Sequence, residues 1–101
     1  MIEHVLDGSG VRSKRAMFAA LARTLRFPKW FGNNLDALYD CLSDLSWLPA
    51  DEHVLIWTHS SVLAGADPAG YDAIRGVFDD AVEATAGSDR PLQVVIAREQ
   101  P

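Results

Sequence analysis

Apolar residues along the chain fall into short runs and into helical arcs, and the order of the two sets the order of elements. Ile2 to Leu6 (IEHVL) is a short, mostly apolar run ended by Asp7-Gly8-Ser9-Gly10, which predicts a strand and a turn. From Ser13, a candidate N-cap, Met17, Phe18, Leu21, Ala22 and Leu25 share one arc of a helix, with Arg15, Arg23 and Arg26 mostly outside it. Pro28 should stop this helix, because the residue before a proline avoids helical geometry. The loop PKWFGN leads to a second helix, capped by Asn33 or Asn34 and running to about Leu45. His53 to Trp57 (HVLIW) is β-branched and aromatic and predicts a buried strand. A Gly/Ala/Ser loop carries the chain to Asp67-Pro68, an N-cap with proline in the first turn. The helix it opens places Ile74, Val77, Phe78 and Ala81 on one face and ends near Gly87, and PLQVVIA closes the pattern as a last strand.

Strands separated by helical stretches favour parallel neighbours joined by crossovers, since parallel pairing needs a long connection. The expected class is α/β: a small three-stranded parallel sheet with crossover helices, packed mainly on one side. At 101 residues the chain is expected to form a single domain, 1–101, burying roughly two-thirds of its unfolded surface without a disulfide or metal. The lone cysteine, Cys41, cannot make an internal bridge. MIEHVLDGSG lacks the basic start and apolar core of a secretion signal, and no run approaches the ~18 apolar residues of a membrane span, so the expected address is cytoplasmic.

Charge changes this picture of an ordinary small domain. The net charge is -5, but residues 1–29 hold six Lys/Arg and two Asp/Glu, whereas residues 30–74 hold seven Asp/Glu and no Lys or Arg. Such a segment repels nucleic acid and attracts cationic protein surfaces. Within it, Leu35, Leu38, Leu42 and Leu45 form a narrow apolar arc of the second helix with Cys41 at its edge. Asp36, Asp40, Ser43 and Asp44 share the opposite face, and Tyr39 lies at the boundary. Like charges at i, i+4 cost a helix roughly 0.2–0.5 kcal/mol a pair. The macrodipole favours Asp36 but opposes Asp44, so the row is expected to serve recognition at the expense of local stability. Trp30 and Phe31, in a loop bounded by Pro28 and Gly32, either cap the core or supply interface area. Gly32 suits the close approach of a partner's backbone or a turn with positive φ.

Enzymatic chemistry finds little support. His4, His53 and His59 show no metal-ligand spacing and read as surface or strand-end groups. Cys41 reads as an inert core thiol, and there is no phosphate loop, nucleophile elbow or paired-cysteine motif. Asp36 and Asp40 as an acid/base pair lack any reason for a raised pKa. No cofactor or metal is expected.

The segment PKWFGNNLDALYDCL resembles the barstar family, intracellular inhibitors of barnase-type ribonucleases. The resemblance rests on Pro28, Trp30, Phe31, Gly32, Asn34, Leu35, Asp36, Ala37, Leu38, Tyr39 and Asp40, continued by Cys41 and Leu42. Weaker likeness covers nearly the whole chain, and implies a three-stranded parallel sheet and an acidic helix that mimics RNA in a cationic cleft. It further implies that Asp40 enters the phosphate site, that Asp36 meets an arginine, and that Trp30 packs over a catalytic histidine. Asn34, Gly32 and Tyr39 match other contact positions, and Asp80 matches an interfacial glutamate. The implied partner is a secreted, cationic, guanyl-specific ribonuclease, bound by a free monomer with no role for nucleic acid or membrane. The alternative is an immunity or binding protein for another cationic toxin. Departures occur at Asp44 (glycine in the best-known member), Leu45 (tryptophan), Trp30 (tyrosine) and Asp80 (glutamate). Trp47 stands either as a replacement for the aromatic surface lost at Leu45 or as a core residue.

Overall fold

A computed structural model describes residues 1–98 of the chain. Among them the order is β1 (Ile2–Asp7), α1 (Lys14–Thr24), α2 (Leu35–Asp44), β2 (His53–Thr58), α3 (Ser61–Ala66), α4 (Pro68–Thr85) and β3 (Leu92–Ile96). The sheet is all-parallel in the order β1-β2-β3, with Ile2 beside His53 and His53 beside Leu92. Two helices fill each connection, which is what parallel pairing demands. The expected α/β class and three-stranded parallel sheet are therefore present.

Alternation along the strands assigns the two faces. Leu6, His53, Leu55, Trp57 and Leu92 are buried on one of them, while on the other Val5 and Val95 stand 61% and 45% exposed at the edges. The helices accordingly cover one side. α1 packs on β1, α4 on β3, and α2 and α3 pack chiefly on α4. α2 thus sits over α4, with its outer face free.

Local chemistry explains most element ends. The Ser13 hydroxyl accepts from the Ala16 amide (3.1 Å) and starts α1. Its end differs from expectation: α1 stops at Thr24, before Pro28 has any effect. Arg26 takes a left-handed φ of 55°, and the Phe27 amide reaches back to the Ala22 carbonyl (3.0 Å), a Schellman closure. Asp67 caps α4 through the Gly70 amide (3.0 Å), with Pro68 in the first turn as expected. Buried Thr85 then ties α4 to the sheet, donating to the Ala81 carbonyl (2.8 Å) and accepting from the Leu92 amide (2.9 Å). Gly8 follows β1 because a β-carbon there would lie 2.5 Å from the Thr58 carbonyl oxygen and 2.6 Å from the Trp57 indole nitrogen.

Two expectations need correction. The stretch expected to be loop before Asp67 contains α3, a single short helix packed on α4 through buried Leu63. His53 meets the strand-end reading but not the surface one: it opens β2 and is fully buried on its core face. Its Nε2 lies 2.8 Å from the Pro49 carbonyl, which can only accept, so a neutral His53 donates there and presents Nδ1 as an acceptor. The Nε2 of His4, on the neighbouring strand, lies 3.0 Å from that Nδ1 and donates to it.

Burial, then the electrostatic influence of His53 and of the Arg26 guanidinium, hold the His4 pKa below its ordinary value. The unfolded chain therefore takes up this proton at higher pH than the fold does, so stability is full above the unfolded pKa near 6.5 and falls as pH drops towards the folded value. Urea midpoints measured from pH 7.5 to 5 should decline, and His4→Gln should flatten that decline. An equal slope in the variant would remove His4 from the account.

Candidate partner-binding surface

An aromatic relay builds the loop before α2. Phe27 meets Phe31 edge-on at 4.8 Å between ring centroids, Phe31 meets Phe18 of α1 at 6.0 Å, and Phe27 meets Trp47 at 6.0 Å. The Phe31 amide donates to the Pro28 carbonyl (3.1 Å), closing a tight turn. Adjacent side chains consequently part company: Phe31 is half-buried against the core, and Trp30 is 58% exposed. Of the two aromatics that the sequence left open, one anchors and one projects.

The turn into α2 is set by Asn33 and Asn34. Positive φ falls on Asn33 (51°) and not on Gly32, so the positive-φ reading of the glycine does not apply. A β-carbon at Gly32 would sit 3.1 Å from the Asn34 amide nitrogen, which itself donates to the Gly32 carbonyl (3.2 Å). Asn34 is the N-cap, its Oδ1 accepting from the Ala37 amide (2.8 Å). Its side chain is thereby occupied in shaping the loop.

α2 buries Leu38, Cys41 and Leu42 and ends on buried Leu45, whose left-handed φ of 52° turns the chain sharply away. The outward row is not uniform. Asp36 and Asp40 line a groove of about 390 Å³ with Leu35 and Tyr39 of α2 and Val77 and Asp80 of α4. Beyond Tyr39 the groove continues between Asp80, Glu83 and Ala84. Asp44 lies outside both and accepts from the Ser46 hydroxyl (3.1 Å). Ser43 turns its hydroxyl back onto the Tyr39 carbonyl (2.7 Å). The fold thus brings together Asp36, Tyr39, Asp40 and Asp80, with Trp30 on the loop preceding the helix, and leaves Ser43 and Asp44 aside.

Three carboxylates from two helices converge here without an internal counter-ion. The ion pairs among the described residues join the N-terminus to Asp51 (2.8 Å) and His59 to Asp7 (3.6 Å), and involve none of them. The Cys41 thiol beneath is pushed up to about 11, chiefly by burial and then by the Asp40 and Asp44 charges, which keeps it protonated and unreactive. Among the described residues no group of three His, Cys, Asp or Glu could hold a metal ion, and no helix is long and apolar enough to cross a membrane. The arrangement suits the binding of cationic groups. Two residues of this surface were missed in the sequence. Glu83 stands three residues after Asp80, a spacing that places both on one helix face. Lys14 lines a second groove with Phe18, Asn33, Asn34, Leu35 and Asp36, a placement that only the tertiary fold creates.

The Ser46 hydrogen bond alters what Asp44 costs. Repulsion from Asp40 and the helix C-terminus disfavour this carboxylate, while the hydroxyl offsets part of that. Asp44→Ala should therefore stabilise the protein more in a Ser46→Ala background than in wild type, by about 0.5 kcal/mol, the lower range of a net hydrogen bond. Urea denaturation of the four-member cycle reads this difference, and additivity would show that the hydroxyl does not compensate.

A family model described as Barstar (barnase inhibitor) matches residues 1–97. That family carries the inhibitors of barnase-type ribonucleases, not enzymes, and its parallel-sheet architecture is the one found here. With the match running from the first strand through the last, the chain belongs to the barstar family.

Proposed function

We propose that this chain inhibits a cationic, guanyl-specific ribonuclease of the barnase type before that enzyme leaves the cytoplasm, by occupying its active-site cleft. The observation that carries this reading is the α2–α4 groove, where Asp36, Asp40 and Asp80 converge with no cation among the described residues paired to them. A ribonuclease cleft is built to hold phosphates with cations. Carboxylates on a rigid helix offer it the same charge in fixed positions, at little ordering cost. Trp30, exposed on the loop beside the helix, supplies a flat apolar surface of the kind a nucleobase presents. Inhibition is by occlusion and requires no chemistry and no cofactor.

Incubating purified protein with barnase-type ribonucleases and measuring RNA cleavage tests the proposal directly. Stoichiometric loss of activity is expected. Capture of a cationic toxin of another class, with ribonuclease activity untouched, would favour the immunity-protein reading.

Steering by the uncompensated groove should show in kinetics. Exposed charges are screened beyond about 8 Å at physiological salt, so the association rate should fall by on the order of tenfold or more between low and high ionic strength. Stopped-flow measurements that return one rate at both would overturn electrostatic steering.

Alanine substitutions should rank the surface. Asp40→Ala is expected to cost most, roughly 2–5 kcal/mol, the usual cost of truncating one partner of a buried hydrogen-bonded charge pair, because it strands cations buried in the partner. Trp30→Ala should follow, and Asp80→Ala should cost least, since a side chain one methylene shorter than glutamate would meet the partner through a bridging water. Inhibition constants would order them, and an Asp40→Ala protein equal to wild type would remove Asp40 from the site.

A further inference from the structure

From the position of Trp47 we infer that this residue is a positioning residue for the binding surface, closing the segment from Arg26 to Ser46 at its base. The inference rests on the inhibitory reading above only for its effect on binding; the structural part stands alone. Trp47 follows α2, yet its indole Nε1 donates to the carbonyl of Leu25, the C-cap residue of α1 (2.9 Å). That carbonyl belongs to the last turn of α1, where no intrahelical donor remains to satisfy it. The same indole ring packs edge-on against Phe27, and Phe27 packs on Phe31. Trp30, Asn34, Asp36, Tyr39 and Asp40 all lie between the two ends that this contact joins. The chain leaves α1 at Leu25, projects Trp30, turns at Asn33, runs along α2 and returns to Leu25 through Trp47.

Trp47 is therefore not a replacement for an interface aromatic at Leu45. Leu45 is buried, and Trp47 is half-buried against Phe27 with its N–H committed inward. Its work passes through the relay. Phe31, held between Phe27 and Phe18, fixes the turn that sends Trp30 outward, and Phe27 is held by Trp47. Without the clamp, the Phe27–Phe31 pair loses the ring contact that ties it to the end of α2, and the Trp30 turn loses part of its fixed base. A partner would then have to order that turn on binding, and the complex would dissociate faster without any contact residue having changed.

Two measurements on the intact protein decide this. In the free protein, amide exchange at Phe27 and Phe31, bonded to the Ala22 and Pro28 carbonyls, should accelerate about tenfold in Trp47→Phe, while Leu55 and Val94 in the sheet keep their protection. Unchanged exchange at Phe27 and Phe31, or an equal rise at the sheet amides, would overturn a local positioning role. In the complex with a barnase-type ribonuclease, Trp47→Phe should raise the dissociation rate about tenfold with the salt dependence of association unchanged. In a Trp30→Ala background the same substitution should have little effect, because the side chain it positions is gone. Additive losses would overturn the link between Trp47 and Trp30. Trp47→Ala, which also removes the ring, should enlarge both effects. A wild-type protein that inhibits no barnase-type ribonuclease would sink the inhibitory reading, and exchange at Phe27 and Phe31 would then decide the clamp by itself.

Discussion

The inner face of α2 holds its outer face in place. Leu38, Leu42 and Leu45 are fully buried, and burial of a leucine side chain contributes roughly 1.5–3 kcal/mol. Each like-charge pair of the Asp36, Asp40, Asp44 series costs only ~0.2–0.5 kcal/mol. The balance is decided by apolar packing against α4, so carboxylates can stand in a row without a cation to separate them. Everything else at the surface depends on this anchoring. It fixes which carboxylates face the groove, and it places Tyr39 at the rim, 37% exposed, between Asp40 and Asp80.

Left-handed residues frame the same helix. Asn33 and Leu45 bracket α2 with φ of 51° and 52°, so the chain enters and leaves it through sharp turns. Asparagine tolerates that region, whereas for leucine the conformation costs roughly 1–2 kcal/mol. Leu45 keeps it because its side chain is fully buried, and glycine in its place would relieve the backbone while forfeiting the core contact. Arg26 performs the equivalent service at the end of α1, where the Schellman closure carries the chain towards the aromatic relay. No glycine among the described residues has positive φ, so the sharp turns at these element ends are made by residues whose side chains also pack, bond or carry charge.

What was legible in the sequence followed from repeating signals. The leucine arc of α2, its asparagine cap and the Asp67-Pro68 start of α4 each declare themselves within a few residues, and each lies where the pattern placed it. α3 did not. Ser61–Ala66 is a single turn and a half containing Gly65, too short for periodicity and poor in intrinsic propensity, and it exists because Leu63 packs on α4. The His4–His53 pair was hidden for another reason: the two residues are neighbours only through the β1–β2 register, so neither segment signals the contact. Trp47 belongs to the same class. Its sequence neighbours Leu48 and Pro49 suggested a core or surface role, whereas its partner, the Leu25 carbonyl, lies on a different helix.

Charge segregation along the chain becomes a more selective pattern in space. The Asp36, Asp40, Asp44 series reads as one face of a single helix, yet the fold divides it. Asp44 is drawn to Ser46, and the third carboxylate of the groove comes from Asp80 on α4. Lys14, from the basic opening third of the chain, lines the neighbouring groove together with Asp36, so a cation faces this end of α2 without pairing with its carboxylate. Among the described residues, no lysine or arginine lines the groove shared by Asp40 and Asp80, nor its continuation towards Glu83. Opposite charges in proximity cancel at distances beyond the screening length, and only the unbalanced remainder acts on an approaching partner. The carboxylates without an opposing cation in their own groove are thus those between α2 and α4, and not the full row of α2. Recognition of a cationic cleft is, on this reading, a property of two packed helices, with packing of the leucines against α4 as its precondition.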